Sequence, residues 1–167
     1  MPGLYRNNMK RIYHQFPPKP EFERKYNFQS DLPFIVRSMA GMNGQFGTFI
    51  TDSPDMKLRP VQAKRSITIE ITDRTVNFSS LNKDTIESVL RDVTNEGTID
   101  FRVTLKYSFL DDKFDRVPFK GDSFLVRTSL DSGILTMNVH HIDGMGRTES
   151  VRIADTIVDE IIKNAPK

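Results

Sequence analysis

The sequence predicts an α+β fold: an antiparallel β-sheet packed against two helices, preceded by an extended, basic, proline-containing N-terminal arm. Three observations predict it. Residues 98–109 alternate polar and apolar without a break, the period of a strand with one wet face. Two stretches, 83–94 and 148–162, carry apolar residues at helical spacing. The first thirty residues show neither period and hold Pro17, Pro18 and Pro20 in four positions. A length of 167 residues suits one domain. The division read from these patterns is an arm over 1–30 and a single globular α+β domain over 31–167.

The arm contains Phe16-Pro17-Pro18-Lys19-Pro20-Glu21-Phe22. Proline fixes φ and restricts the residue before it, so this stretch is expected to be extended and polyproline-like. An aromatic at each end suits a peptide that docks in a groove; a stiff linker has the same composition. Residues 31–65 read as irregular. Gly41, Gly44 and Gly47 recur at every third position, which is neither the dinucleotide fingerprint nor a P-loop, and a mobile loop is expected.

Regular structure is expected from residue 66. Ile67, Ile69 and Ile71 alternate with Thr68, Glu70 and Thr72 as a half-buried strand. Asn82 is a candidate N-cap for a helix over 83–94, with Ile86, Val89, Leu90 and Val93 on one face. In the long strand, Ile99, Phe101, Val103, Leu105, Tyr107 and Phe109 form the predicted core wall. Asp111-Asp112-Lys113 reads as a turn, residues 124–128 as a short strand, and Asp131-Ser132-Gly133 as a turn into a strand bearing Leu135, Met137 and Val139. Gly144 and Gly146 break that strand. Thr148 or Ser150 then caps a last helix, with Val151, Ala154, Ile157, Val158, Ile161 and Ile162 as its apolar stripe.

The net charge of +2 hides an asymmetry. Residues 1–65 hold eleven Lys/Arg and five acids; residues 66–167 hold thirteen and seventeen. The first twenty residues carry four bases and no acid. Such a segment is attracted to any polyanion, although a solvated tail has the same composition. The candidate anionic-surface residues are Arg6, Lys10, Arg11 and Lys19 in the arm, with Lys57, Arg59, Lys64 and Arg65 in a second basic cluster.

Little in the chain points to catalysis. The sequence has no cysteine, which removes thiolate chemistry and disulfides and fits a reducing compartment. His140 and His141 adjoin in a predicted strand, so they are expected on opposite faces and cannot share one ion. There is no His-Glu-x-x-His motif and no Gly-x-Ser-x-Gly elbow. Asp111, Asp112 and Asp115 read as a solvated acidic turn, since the calcium-loop pattern is missing. Gly144-Met145-Gly146-Arg147-Thr148 reads as a strand–helix turn with a cap. The expectation is a protein that is not an enzyme and needs no cofactor and no metal. No apolar run is long enough to span a bilayer, and the first residues lack an apolar signal core, so an intracellular, non-secreted protein is expected.

Two stretches carry a family resemblance. One is Arg65-Ser66-Ile67-Thr68-Ile69-Glu70-Ile71-Thr72-Asp73-Arg74, continuing through Asn77-Phe78-Ser79 to the helix of Ile86, Val89 and Val93. The other is Asp131-Ser132-Gly133-Ile134-Leu135-Thr136-Met137-Asn138-Val139. They resemble the alternating strand, basic turn and helix, and the late hairpin strand, of rhabdovirus matrix proteins. The arm lacks the Pro-Pro-x-Tyr and Pro-Ser/Thr-Ala-Pro signals of animal members, so the likeness is to the plant-infecting type. The resemblance implies a non-enzymatic structural protein of the virion and host-cell cytoplasm, peripherally attached to membrane. Such proteins self-associate and bridge a nucleocapsid, a ribonucleoprotein, to the inner face of an anionic phospholipid membrane, with no small-molecule substrate. In related proteins a proline-containing arm docks on the next subunit; here Phe16, Pro17, Pro18, Pro20 and Phe22 would fill that role. Two other classes fit the element order. One is a small phospholipid-binding module like the kinase-associated C-terminal domains. The other is a helix-grip ligand carrier.

Overall fold

The computed structural model describes residues 8–44, 46–54, 59–72 and 77–165, with the backbone alone for residues 8–10 and Phe46. Eight strands and three helices follow in the order β1 (Asn8–Arg11), β2 (Phe22–Asn27), α1 (Leu32–Ala40), β3 (Phe46–Asp52), β4 (Pro60–Thr72), β5 (Phe78–Ser80), α2 (Ile86–Leu90), β6 (Glu96–Leu110), β7 (Arg116–Asp131), β8 (Ile134–Asp143) and α3 (Ser150–Asn164). The strands make one curled sheet, and the fold is α+β.

The sheet runs β2-β8-β7-β6-β4-β3, antiparallel throughout. The short β5 pairs with the end of β4, and β1 lies parallel beside the first residues of β6. Strand β6 therefore has β7 along one side, and β4 followed by β1 along the other. The β7–β8 hairpin turns on Ser132 and Gly133, at φ 52° and 80°. Positive φ at both central residues matches the right-handed twist of the flanking strands.

Alternation decides what is buried. Ile99, Phe101, Val103, Leu105, Tyr107 and Phe109 are all buried, as the sequence predicts. Their strand neighbours on the same face, Ile69, Ile71, Phe124, Val126, Met137 and Val139, complete the inner wall. Helix α1 covers it with Leu32, Ile35, Val36 and Met39, and α3 with Ile153, Ala154, Ile157 and Ile161. Each fully buried aliphatic or aromatic side chain contributes about 1.5–3 kcal/mol, and this shared core makes the sheet and two long helices one unit.

Five expectations need correction. Residues 31–65 are not irregular: they supply α1, β3 and the first part of β4. Asp31 accepts from the Phe34 amide at 3.0 Å, Pro33 sits in the first turn, and Leu32, Ile35, Val36 and Met39 fall at i, i+3, i+4, i+7. The short strand at 124–128 is the middle of a sixteen-residue strand. Gly121 does not end it but permits it, because a Cβ there would run into the Leu105 carbonyl oxygen where the β6–β7 register shifts. The helix over 83–94 shortens to Ile86–Leu90, with the Asn82 side chain accepting from the Asp84 and Thr85 amides one turn earlier. In α3, Ile153 is buried while Ile162 is 66% exposed, so the stripe is rotated from the one expected.

The separate arm is the fifth correction. Residues 8–11 and 22–27 are strands of the sheet. Phe22 pairs with Val139 and Asn27 with Ile134. No boundary falls at residue 30, because Phe28 donates its amide to the Gly133 carbonyl and Leu32 donates to that of Asn95.

Candidate functional site

The two faces of the sheet have different chemistry. The inner face carries the helices. The outer face divides into a half crossed by residues 12–21 and a half left open.

The crossed half is built on two charge pairs. Arg127 donates to both carboxylate oxygens of Asp100, at 2.7 and 2.8 Å, and Arg102 donates to both of Glu70, at 2.8 Å each. The N-terminal segment closes over them. The Tyr13 amide donates to Asp100 Oδ2 at 2.6 Å. The Tyr13 ring packs on Phe78, whose ring lies under the Arg102 guanidinium. Phe16 lies against the guanidinium of Arg127, 4.3 Å from carbon to ring centroid. This explains why Asp100 and Leu125 are buried although their register puts them on the outer face. Phe16 and Phe22, expected as anchors on another subunit, are thus held within the same chain. Phe16 is buried, Phe22, Pro17 and Pro20 are half-buried, and Pro18 is exposed.

The open half is basic. Register puts Lys64 opposite Ser108, Lys106 opposite Ser66, and Arg116 opposite Leu110, all on this face and all exposed. Lys120 lies on the same face of β7. Arg59, Lys64, Arg116 and Thr48 line an open groove of about 650 Å³. Lys120 pairs with Asp143 at 3.2 Å and Arg59 with Asp112 at 4.0 Å, both exposed, so water screens these pairs strongly. Among the described residues, Lys64, Lys106 and Arg116 form no ion pair.

The expected anionic-surface residues therefore separate. Arg6 and Lys57 lie outside the described residues. Lys10 is in β1. Arg11 is buried and paired with Asp92 at 3.7 Å, so it cannot meet an external surface. Lys19 is exposed in the crossing segment. Arg59 and Lys64 belong to the open basic half. Arg65 belongs to the opposite face, since neighbouring residues in a strand point opposite ways. Lys106, Arg116 and Lys120 join the surface without having been expected. The wet face of the long strand, read by alternation, is the signal that points to Lys106.

On the inner face a polar node sits beside the core. The Asp122 side chain has no exposed area. Oδ1 accepts from the Gly146 amide at 2.7 Å and contacts His141 Nε2 at 2.8 Å. Oδ2 accepts from the Tyr107 hydroxyl at 2.6 Å and from the Arg147 and Thr148 amides. Burial pushes this carboxyl up, but hydrogen bonds from Tyr107, His141 and Gly146 outweigh it and hold Asp122 below the ordinary carboxylate range. Burial, with the hydrogen bond to Asp122, pushes the Tyr107 phenol well above its ordinary value. Every acceptor position of the carboxylate is used, so the node fastens residues 146–148, and hence the start of α3, to the sheet. His141 serves this node, while His140 faces Glu21 at 3.8 Å. The acidic turn at 111–115 is a hairpin turn in which Asp111 Oδ1 accepts from the Lys113 and Asp115 amides.

Among the described residues no helix is long and apolar enough to cross a membrane. No family model, no curated protein and no solved structure matches the chain.

Proposed function

We propose that the protein is a non-enzymatic, matrix-like structural protein whose open outer half docks on an anionic membrane. One observation carries this reading: Lys64, Lys106 and Arg116 stand on one face of a sheet whose core holds it rigid, and no carboxylate among the described residues pairs with them. The sheet fixes the spacing of their backbone positions before binding. Each contributes about 1 kcal/mol near an anionic leaflet. In this reading the chain self-associates on the membrane and bridges it to a ribonucleoprotein. Its attachment is peripheral, on the inner side of a virion or host-cell membrane.

The test is sedimentation of the full chain against concentration and salt, alone and with phosphatidylserine vesicles. The reading expects larger assemblies at low salt, vesicle binding that falls as salt rises, and partial displacement of vesicles by single-stranded RNA. A monomer at every concentration and salt, unmoved by vesicles, would favour the alternative, a small ligand-binding α+β module of the helix-grip kind.

A further inference from the structure

We propose that the cavity between α3 and the inner face of the sheet binds a compact organic oxyanion, a carboxylate or phosphate monoester carried on a small apolar body. The site is on the opposite side of the sheet from the basic outer half, and the inference is independent of that surface.

The cavity holds about 190 Å³. An apolar cavity of about 150 Å³ suffices for benzene, so this one has room for a ring and a small headgroup. Ile67 and Leu105 form part of its apolar floor, and Arg65, Arg152, Thr148 and Thr156 bring the polar groups. Two guanidinium groups thus line one small space.

No ion pair joins Arg65 or Arg152 to a carboxylate among the described residues. Of the acids along α3, Asp155 pairs with Arg24 at 3.5 Å and Glu160 with Lys163 at 3.8 Å, while Glu149, one turn before Arg152, forms no ion pair with it among the described residues. Asp159 lines a groove on the flank of α3 with Arg152, and no ion pair joins it to that arginine. The Asp122 carboxylate reaches the cavity only through a chain, Asp122 to Tyr107 to Thr148 to Arg65, and its own acceptor positions are filled. Burial, then the facing charge of Arg152, lowers the Arg65 pKa from its ordinary value. Two like charges against an apolar floor cost free energy that a bound anion would remove.

The Arg65 guanidinium is also held in place. It lies 4.8 Å from the Phe49 ring centroid, and NH1 donates to Thr148 Oγ1 at 3.4 Å. A planar, preorganised guanidinium suits carboxylate and phosphate alike. The apolar floor favours an anion with a hydrocarbon body over a bare one.

The experiment is isothermal titration of the full chain with benzoate, phenyl phosphate, inorganic phosphate and neutral benzamide. Both organic acids should bind, benzamide should not, and inorganic phosphate should bind more weakly than phenyl phosphate. The tighter of the two acids identifies the headgroup. Arg65→Gln and Arg152→Gln should each weaken binding by about ten-fold, the loss expected for one charge-assisted hydrogen bond. A Lys64→Gln/Lys106→Gln double variant should bind as the parent does. Arg152 is exposed, so its variant should keep its melting temperature without ligand, which separates lost binding from lost fold. Absence of binding by both acids at millimolar concentration, or equal binding by the parent and both arginine variants, overturns the proposal. Inorganic phosphate binding as tightly as phenyl phosphate overturns its apolar part.

Discussion

Asp100 is fully buried on the outer face of the sheet because Arg127 grips both of its oxygens and the Tyr13 amide closes over them. The N-terminal segment is therefore part of the folded core's boundary. Removing one partner of a buried pair leaves an uncompensated charge, at a cost of about 3–5 kcal/mol. Arg127→Leu should show a loss of that order in urea unfolding. Arg127→Leu combined with Asp100→Leu should recover most of it. If the single variant loses less than about 0.5 kcal/mol, the pair is not the anchor it is taken to be.

Deleting residues 1–21 should destabilise the protein by a similar amount. It removes β1, the Tyr13 and Phe16 contacts, and the cover over Leu125. A truncated chain that unfolds at the same urea concentration as the full one would mean the segment is only loosely applied. A freely docking arm would behave in that way.

The Asp122 node gives a pH dependence with a fixed sign. Its carboxyl is held below the ordinary range in the folded protein, so its stabilisation is fully present above the unfolded value of about 3.9. That stabilisation is lost as pH falls through the lower folded value. The stability gap between the parent and Asp122→Asn should therefore shrink as pH falls below about 4. Tyr107→Phe removes the shortest hydrogen bond to Oδ2, which keeps the Arg147 and Thr148 amides, and should cost about 1–3 kcal/mol at neutral pH. A gap that does not change with pH would deny the node its charge.

Core truncation tests the inner wall. Phe101→Ala and Leu105→Ala should each cost about 2–5 kcal/mol in equilibrium unfolding. Ile50, 68% exposed on edge strand β3, should tolerate alanine within about 0.5 kcal/mol. A small loss at both core sites would mean that the wrong face has been assigned to the core.

Much of this fold was legible. The strict alternation of residues 98–109 names the buried wall residue by residue, because one covered face leaves no other register. Helix α1 was legible in principle: Asp31, Pro33 and the spacing of Leu32, Ile35, Val36 and Met39 are all local signals. The nearby glycines suggested irregularity, but Gly41 and Gly44 form only the turn that follows it and Gly47 lies in β3. Strand β2 was not legible. Phe22-Glu23-Arg24-Lys25-Tyr26-Asn27 does not alternate, and its partner β8 lies more than a hundred residues away. The basic cluster misled for a related reason. With the strand taken to begin at residue 66, Lys64 and Arg65 looked like one patch. Strand β4 begins at Pro60, so they are on opposite faces with different roles.

Co-flotation with vesicles tests the outer-face reading most directly. Replacing Lys64, Lys106, Arg116 and Lys120 with glutamine removes about 1 kcal/mol each of attraction to an anionic leaflet, within a Debye length of about 10 Å at 0.1 M salt. The parent should float with phosphatidylserine vesicles, stay behind with neutral ones, and be released as salt rises, while the quadruple variant should stay behind with both. Equal flotation of the parent with neutral and anionic vesicles, or a variant that floats like the parent, would contradict the account.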